Sequence, residues 1–264
     1  MLNIRSLPQK LLREMLLLFF ERVCLNCEQP NNCNTPVCLN CQLPEVFSKT
    51  TRCEICFDLI PAQNFSTKAF GLCPSCQVTP KYDAPLLYAW DYQGLVSKLI
   101  IKMKASPSET LAKFLAESLI HALKINQFAN ECDLIITPPL SARSRKLRLF
   151  NQSALIAKLV AAELNLKFYS GVLKANSFQN EQKHLNRSER ITNKSFFVKN
   201  QNIISGAKVL LIDDILTTGA TLNSAAKAIW GAGAKSLKFA VLAKTPLLFV
   251  PVQDATTPNK KQSN

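Results

Sequence analysis

Val209-Leu-Leu-Ile-Asp-Asp-Ile-Leu-Thr-Thr-Gly-Ala-Thr221 decides the reading of this chain. Four apolar residues, Val209 to Ile212, read as a buried β-strand and run directly into two acids, Asp213 and Asp214. A turn of small hydroxyl residues and one glycine follows, and a helix is expected to open near Thr221. Backbone N–H groups at a helix start lack internal acceptors, so together with the helix dipole they favour a phosphate. Gly219 permits a tight turn and close approach of the backbone to the anion, while Thr217, Thr218 and Thr221 bring hydroxyl donors. The two carboxylates suit vicinal ribose hydroxyls, taken directly or through a divalent cation. Open α/β sheets bind ligands at the carboxyl ends of their strands, which is where these groups fall. The stretch therefore predicts a site for a phosphorylated sugar.

Nine of the ten cysteines precede residue 80, and eight of them form four Cys-x-x-Cys pairs: Cys24/Cys27, Cys38/Cys41, Cys53/Cys56 and Cys73/Cys76. Two intervening residues let both thiolates of a pair reach one tetrahedral ion, so four pairs predict two structural zinc sites of four thiolates each. Disulfides would require an oxidising compartment, and no export signal is read in the sequence. Redox chemistry needs one reactive pair rather than four in succession. Sequential pairing would stack two zinc ribbons and interleaved pairing would cross-brace them; the spacing does not choose between the two. Cys33 is spare, and Cys132 reads as a small buried apolar residue.

With 264 residues, 47% of them hydrophobic and only 7 glycines, the chain can bury one ordinary core beside a smaller module. We expect an N-terminal helix and double zinc ribbon over residues 1–80, a larger domain over 81–250, and a polar, lysine-rich tail without structure over 251–264. Met15 to Phe20 is apolar but only six residues long and flanked by charge, too short for stable membrane insertion, so it reads as an amphipathic helix. A metal module and low cysteine usage beyond it lead us to expect a cytoplasmic location. Residues 1–80 hold 7 basic and 6 acidic side chains, so the rest of the chain carries +13 of the net +14. Between Ser141 and Lys199 stand 12 basic and 3 acidic residues. Such a rim suits a polyphosphate substrate locally, or nucleic acid if it extends further.

Periodicity beyond residue 80 alternates strand and helix. Strands are expected at Leu86 to Trp90, Asp133 to Thr137, Val172 to Lys174, Lys208 to Ile212 and Leu237 to Ala243. Helices are expected at Leu95 to Met103, Glu109 to Ile125, Ser153 to Leu164 and Leu222 to Trp230. That alternation predicts an α/β fold with a parallel sheet.

Ile212 to Thr221 resembles the phosphoribosyl pyrophosphate (PRPP) loop of type I phosphoribosyltransferases: an apolar strand, two acids, then Thr-Thr-Gly-x-Thr. Thr137-Pro-Pro-Leu-Ser-Ala-Arg-Ser-Arg-Lys-Leu-Arg-Leu-Phe-Asn-Gln-Ser resembles a segment of the ComF competence proteins, as do Gln182-x-x-Leu185, Arg190, Asn193 and Phe196. With the paired cysteines, the likeness to the ComF family spans about residues 20 to 245. It implies a parallel-sheet type I phosphoribosyltransferase fold carrying a small N-terminal Cys-rich zinc-ribbon module. It also implies that Asp213 and Asp214, the catalytic pair, bind the ribose hydroxyls of PRPP with Mg²⁺. Thr217, Thr218, Gly219, Ala220 and Thr221 would bind its 5-phosphate, and Arg143, Arg145 and Arg148 its pyrophosphate, through guanidinium forks. Lys102 and Lys104, in the family's basic stretch after the first helix, would add charge. Asn176 to Asn193 resembles a hood that closes over substrate.

Two residues depart from the family pattern: Leu149 stands where a glycine is usual, and Lys174 where an arginine is. Three functions are weighed, the first two implied by the likeness and the third a purely structural reading. The first is Mg²⁺-dependent phosphoribosyl transfer with loss of pyrophosphate, which needs charge stabilisation more than a nucleophile. The second is single-stranded DNA binding in natural transformation, alongside the competence machinery, with PRPP only as a ligand. The third is an interaction platform built on the zinc ribbons.

Overall fold

A computed structural model describes residues 23–33, 35–41, 43–47, 52–60, 71–105, 108–140, 151–176 and 196–246. Outside these lie the expected helix at Met15 to Phe20, the three arginines Arg143, Arg145 and Arg148, Leu149, nearly all of the expected hood, and the tail.

In chain order the described elements are α1 (Pro74–Val78), β1 (Leu86–Asp91), α2 (Gly94–Ala105), α3 (Glu109–Ile125), β2 (Leu134–Ile136), α4 (Gln152–Leu164) and β3 (Lys167–Tyr169). Then follow β4 (Leu173–Ala175), β5 (Phe196–Val198), α5 (Gln201–Ile204), β6 (Lys208–Leu216), α6 (Ala220–Gly231) and β7 (Ser236–Lys244). Five strands form one wholly parallel sheet in the order β1-β7-β6-β2-β3. A separate antiparallel ribbon pairs β4 with β5, Leu173 opposite Val198. The sheet is the α/β architecture expected from the alternation of periods.

Its centre is dry. Val209, Leu210, Leu211 and Ile212 are fully buried, as are Leu86, Leu87, Ala89, Phe239, Ala240 and Val241, so consecutive residues are covered on both faces, the pattern of an internal parallel sheet. Helix α3 supplies much of that cover through Leu111, Leu115, Leu119 and Ala122, which share one face at helical spacing. Its start is set by the Ser108 hydroxyl, which accepts the Leu111 amide at 3.2 Å. Helix α4 begins the same way, the Asn151 side chain accepting the Ala154 amide at 3.3 Å, and it ends at Asn165, whose φ of 54° is left-handed.

Strand β6 is longer than its apolar run suggests. Pairing with β7 continues past the acids, Ile215 opposite Ala243 and Leu216 opposite Lys244, because a neighbouring strand offers partners where hydrophobicity alone marks an end. Strands β3 and β5, at three residues each, and the single turn of α5 are too short to show a period and were not expected.

The cysteine-rich segment packs on β1. The Leu86 amide donates to the Ile55 carbonyl at 2.8 Å, the Phe47 amide to Ala89 at 3.2 Å, and the Trp90 indole to Pro44 at 2.9 Å. Arg52 fills the junction, its guanidinium 3.6 Å from the centroid of Phe47 and donating to the Phe57 carbonyl and the Tyr88 hydroxyl at 3.0 Å each.

Phe239 lies at the sheet's centre, opposite Leu86 on one side and Leu211 on the other. Phe239→Ala is expected to cost about 3–5 kcal/mol through lost burial and the cavity left behind, read as a fall in the urea midpoint at unchanged slope.

Candidate functional site

The two acids sit next to each other on β6 and therefore point to opposite sides of the sheet. Asp213 turns toward α4: its Oδ1 accepts the Ser153 hydroxyl at 2.8 Å and the Asp214 amide at 2.9 Å. Asp214 turns toward the end of α2. Its Oδ1 accepts the Ile215 amide at 2.7 Å and its Oδ2 pairs with the Lys104 ammonium at 2.8 Å. Burial, and then the charge of Asp214, push the Asp213 carboxyl up to about 7, against the stabilising Ser153 hydroxyl and Lys104 ammonium.

The turn that follows is open to a ligand. Thr217 and Thr218 are exposed, and Ala220 and Thr221 are partly so. Gly219 adopts φ 81° and stands as the N-cap of α6, where no side chain caps the helix; the Ala220 amide reaches only the Thr218 hydroxyl, at 3.4 Å. A glycine is required here on two counts. Besides the left-handed φ, a Cβ at this position would lie 2.6 Å from Cε1 of Tyr82.

Beyond β2, a cavity of about 310 Å³ is bounded by Thr137 to Leu140, by Asn151 and Ala154 of α4, and by Gly171 and Lys174. Two of its lining residues, Asn151 and Ala154, flank Ser153 in the sequence of α4. The arginines assigned to pyrophosphate would follow directly on Leu140, outside the described residues. Lys102 and Lys104 belong to the last turn of α2 rather than following it. Two positions apart on a helix they face differently, so Lys104 meets Asp214 while Lys102 is exposed. Ser153 carried only a weak signal, the Phe150-Asn151-Gln152 it follows, and Tyr82 carried none.

The eight paired cysteines gather into two groups of four, Cys24/Cys27/Cys38/Cys41 and Cys53/Cys56/Cys73/Cys76. Pairing is thus sequential, first with second and third with fourth. Within each group all four sulfurs lie within 4.8 Å of one another, and the contacts Cys27–Cys38 and Cys56–Cys73 measure 3.8 and 3.6 Å. A tetrahedron with metal–sulfur bonds of about 2.3 Å has edges of about 3.8 Å, so either group could hold one metal ion. The first is lined with donors to sulfur: the Asn26 and Cys38 amides each reach Cys24 Sγ at 3.4 Å, and the Asn26 side-chain amide reaches Cys41 Sγ at 3.3 Å. Such donors stabilise thiolate ligands. Cys33 and Cys132 belong to neither group.

The parallel sheet with its helices is that of a phosphoribosyltransferase fold, and residues 151–254, which include the turn, match the family model described as phosphoribosyl transferase domain. The "Competence protein ComFC" of Streptococcus pneumoniae is 29% identical over 193 residues, covering 70% of this chain and 83% of that protein. The "DNA utilization protein YhgH" of Salmonella typhi is 25% identical over 176 residues, covering 66% and 78%. A hypoxanthine-guanine phosphoribosyltransferase from Bacillus anthracis superposes on 53% of this chain and 72% of its own at 18% identity and a TM-score of 0.36. The domain match and these relatives together support a ComF family protein.

Metal analysis of the purified protein is expected to return two ions per chain. Cys53→Ser should return one, because the two groups share no ligand; retention of two would show that the clusters do not act as separate sites.

Proposed function

We propose that this protein binds PRPP with Mg²⁺ at Asp213, Asp214 and the Thr217–Thr221 turn, and transfers its phosphoribosyl group with release of pyrophosphate. The observation that carries this reading is the arrangement at the end of β6: two carboxylates anchored separately by Ser153 and Lys104, directly before an uncapped helix start. In the transfer, an acceptor nucleophile forms its bond to C1 of the ribose as the C1–oxygen bond to pyrophosphate breaks, with inversion. The electron pair and negative charge leave with pyrophosphate. The acids hold the ribose hydroxyls, the turn holds the 5-phosphate, and the region around the 310 Å³ cavity, with Arg143, Arg145, Arg148 and Lys102, takes the leaving group. Mg²⁺ suits this donor set only together with the ligand, since Lys104 already neutralises part of the acid pair; bound, it offsets pyrophosphate charge.

The two cysteine groups are read as structural zinc sites, in a module over residues 1–80 beside a domain over 81–250. The likeness to a competence protein and a DNA utilization protein supports a role in DNA uptake in the cytoplasm. The +13 surplus beyond residue 80 favours a second reading, in which the protein binds single-stranded DNA, works with competence proteins and uses PRPP only as a ligand.

Isothermal titration of PRPP with Mg²⁺ should show binding that Asp213→Ala/Asp214→Ala weakens at least 100-fold. Absence of binding to the unaltered protein would reject the sugar-phosphate reading. Single-stranded oligonucleotide binding that falls steeply with salt and survives that double substitution would instead support the DNA reading.

The acid pair adds a pH dependence. Asp213 must be ionised to accept two ribose hydroxyls, and its carboxyl sits at about 7. Affinity should therefore rise up to about tenfold per pH unit from 6 toward 7 and level off above, with proton uptake by Asp213 reversed on binding. Asp213→Asn should flatten this component of the profile; an unchanged slope would remove Asp213 as its source.

A further inference from the structure

The phosphate turn is walled by a residue from outside the phosphoribosyltransferase match. Tyr82, only 8% exposed, presses its ring on Gly219, with Cε1 2.6 Å and Cδ1 3.1 Å from where a Cβ would stand; Leu216, the last residue of β6, is the next nearest at 3.7 Å. Tyr82 belongs to a short connection that is tied down at both ends. On one side, Lys81 pairs with the carboxylate of Asp58 at 2.7 Å. Asp58 is part of the second cysteine group's knuckle, its carbonyl accepting the Cys53 amide at 2.9 Å. On the other side, the Asp83 amide donates to Asn223 and the Trp230 indole donates to the Asp83 carbonyl, each at 3.4 Å, so the connection is stapled to α6, the helix that starts at the turn.

Asp58 reaches the turn by a second route as well. Its Oδ1 accepts Lys244, which is 5% exposed, and the Tyr88 hydroxyl at 3.2 Å. Lys244 is the last residue of β7 and pairs in register with Leu216, while the next amide, Thr245, donates to the Leu216 carbonyl at 2.8 Å. The same ammonium lies 5.9 Å from the Tyr82 ring centroid. One carboxylate in the cysteine-rich segment thus holds two cations, one beside Tyr82 in sequence and one at the base of the turn.

The geometry points to Tyr82 as the positioning residue of the phosphate turn, held in place through Asp58, Lys81 and Lys244 by the second cysteine group, so that ligand affinity at the turn is set from that group. Tyr82 acts by packing. It denies Gly219 alternative backbone angles, which keeps the amides of Gly219 to Leu222 in the direction a phosphate needs before the phosphate arrives. Glycine at 219 is what makes both the close approach and the need for an external wall.

This inference rests on the sugar-phosphate reading for its ligand, and amide exchange tests it without one. Five proteins are compared: unaltered, Tyr82→Phe, Tyr82→Ala, Asp58→Asn and the Tyr82→Ala/Asp58→Asn double variant. In the absence of ligand, Tyr82→Ala and Asp58→Asn should speed amide exchange across Gly219 to Leu222 at least tenfold, while Tyr82→Phe stays within twofold and the amides of β2 do not change. In the titration with PRPP and Mg²⁺, the two weakening substitutions should cost about tenfold each, Tyr82→Phe nothing, and the double variant no more than Tyr82→Ala alone. Metal content should stay at the unaltered protein's value throughout, which separates the relay from loss of the knuckle. Unchanged exchange in Tyr82→Ala would overturn the inference. So would a double variant whose losses simply multiply, or a Tyr82→Phe as impaired as Tyr82→Ala. An unaltered protein that fails to bind PRPP rejects the sugar-phosphate reading instead, and the exchange data still decide the role of Tyr82.

Discussion

The pairing of β6 with β7 is the constraint on which the site depends. Eight partnered positions run from Lys208–Ser236 to Leu216–Lys244. Because Val209 to Ile212 are buried on both faces, alternation of polar and apolar side chains does not pin the register in this strand. The ends do. At the start, the Asp133 carboxylate accepts the Lys208 amide at 2.8 Å; at the finish, the Thr245 amide reaches Leu216. A slip by one residue would send Asp213 to the side of Lys104 and Asp214 to the side of Ser153, and the carboxylates would lose both of their anchors.

That geometry explains why part of the site was legible and part was not. The acid pair, the threonines and Gly219 are contiguous, so a local reading places them together. So do the ends of α3, where a serine and a helical stripe coincide with the observed span Glu109–Ile125. Contacts made across the fold leave little local trace. Ser153 meets Asp213 across 60 positions, and its chemistry is that of any serine in a first helical turn. The choice of Lys104 over Lys102 follows from the rotation of α2 against β6, which neither lysine encodes alone. The four Cys-x-x-Cys pairs announced metal chemistry, yet which pairs join depends on loop paths between them, and only the folded chain distinguishes stacked from crossed.

The acids also illustrate how a strand end tolerates two adjacent negative charges. Alternation sends them to opposite sides, where each finds a different compensation: a neutral hydroxyl for Asp213, a cation for Asp214. The compensation is unequal. A hydroxyl stabilises charge less than an ammonium does, and at Asp213 burial and the neighbouring charge of Asp214 outweigh it, raising the carboxyl to about 7. At neutral pH Asp213 is therefore about half protonated, and an approaching polyphosphate meets less repulsion from it than from a fully ionised aspartate.

The turn built on Gly219, the proposed phosphate site, has a cost that its own residues do not cover. Glycine loses the most backbone freedom on folding, and this one has no capping side chain to hold the helix start. An unsupported turn would have to be ordered by the ligand itself, which would subtract from affinity. The support comes instead from Leu216 at the end of β6 and from two residues distant in sequence, Lys244 at the end of β7 and Tyr82 from the connection below the second cysteine group. Placing a cysteine-rich knuckle next to the proposed sugar-phosphate site is then more than an appendage to the domain, since its Asp58 supplies the counter-charge that lets two lysines be packed against that support.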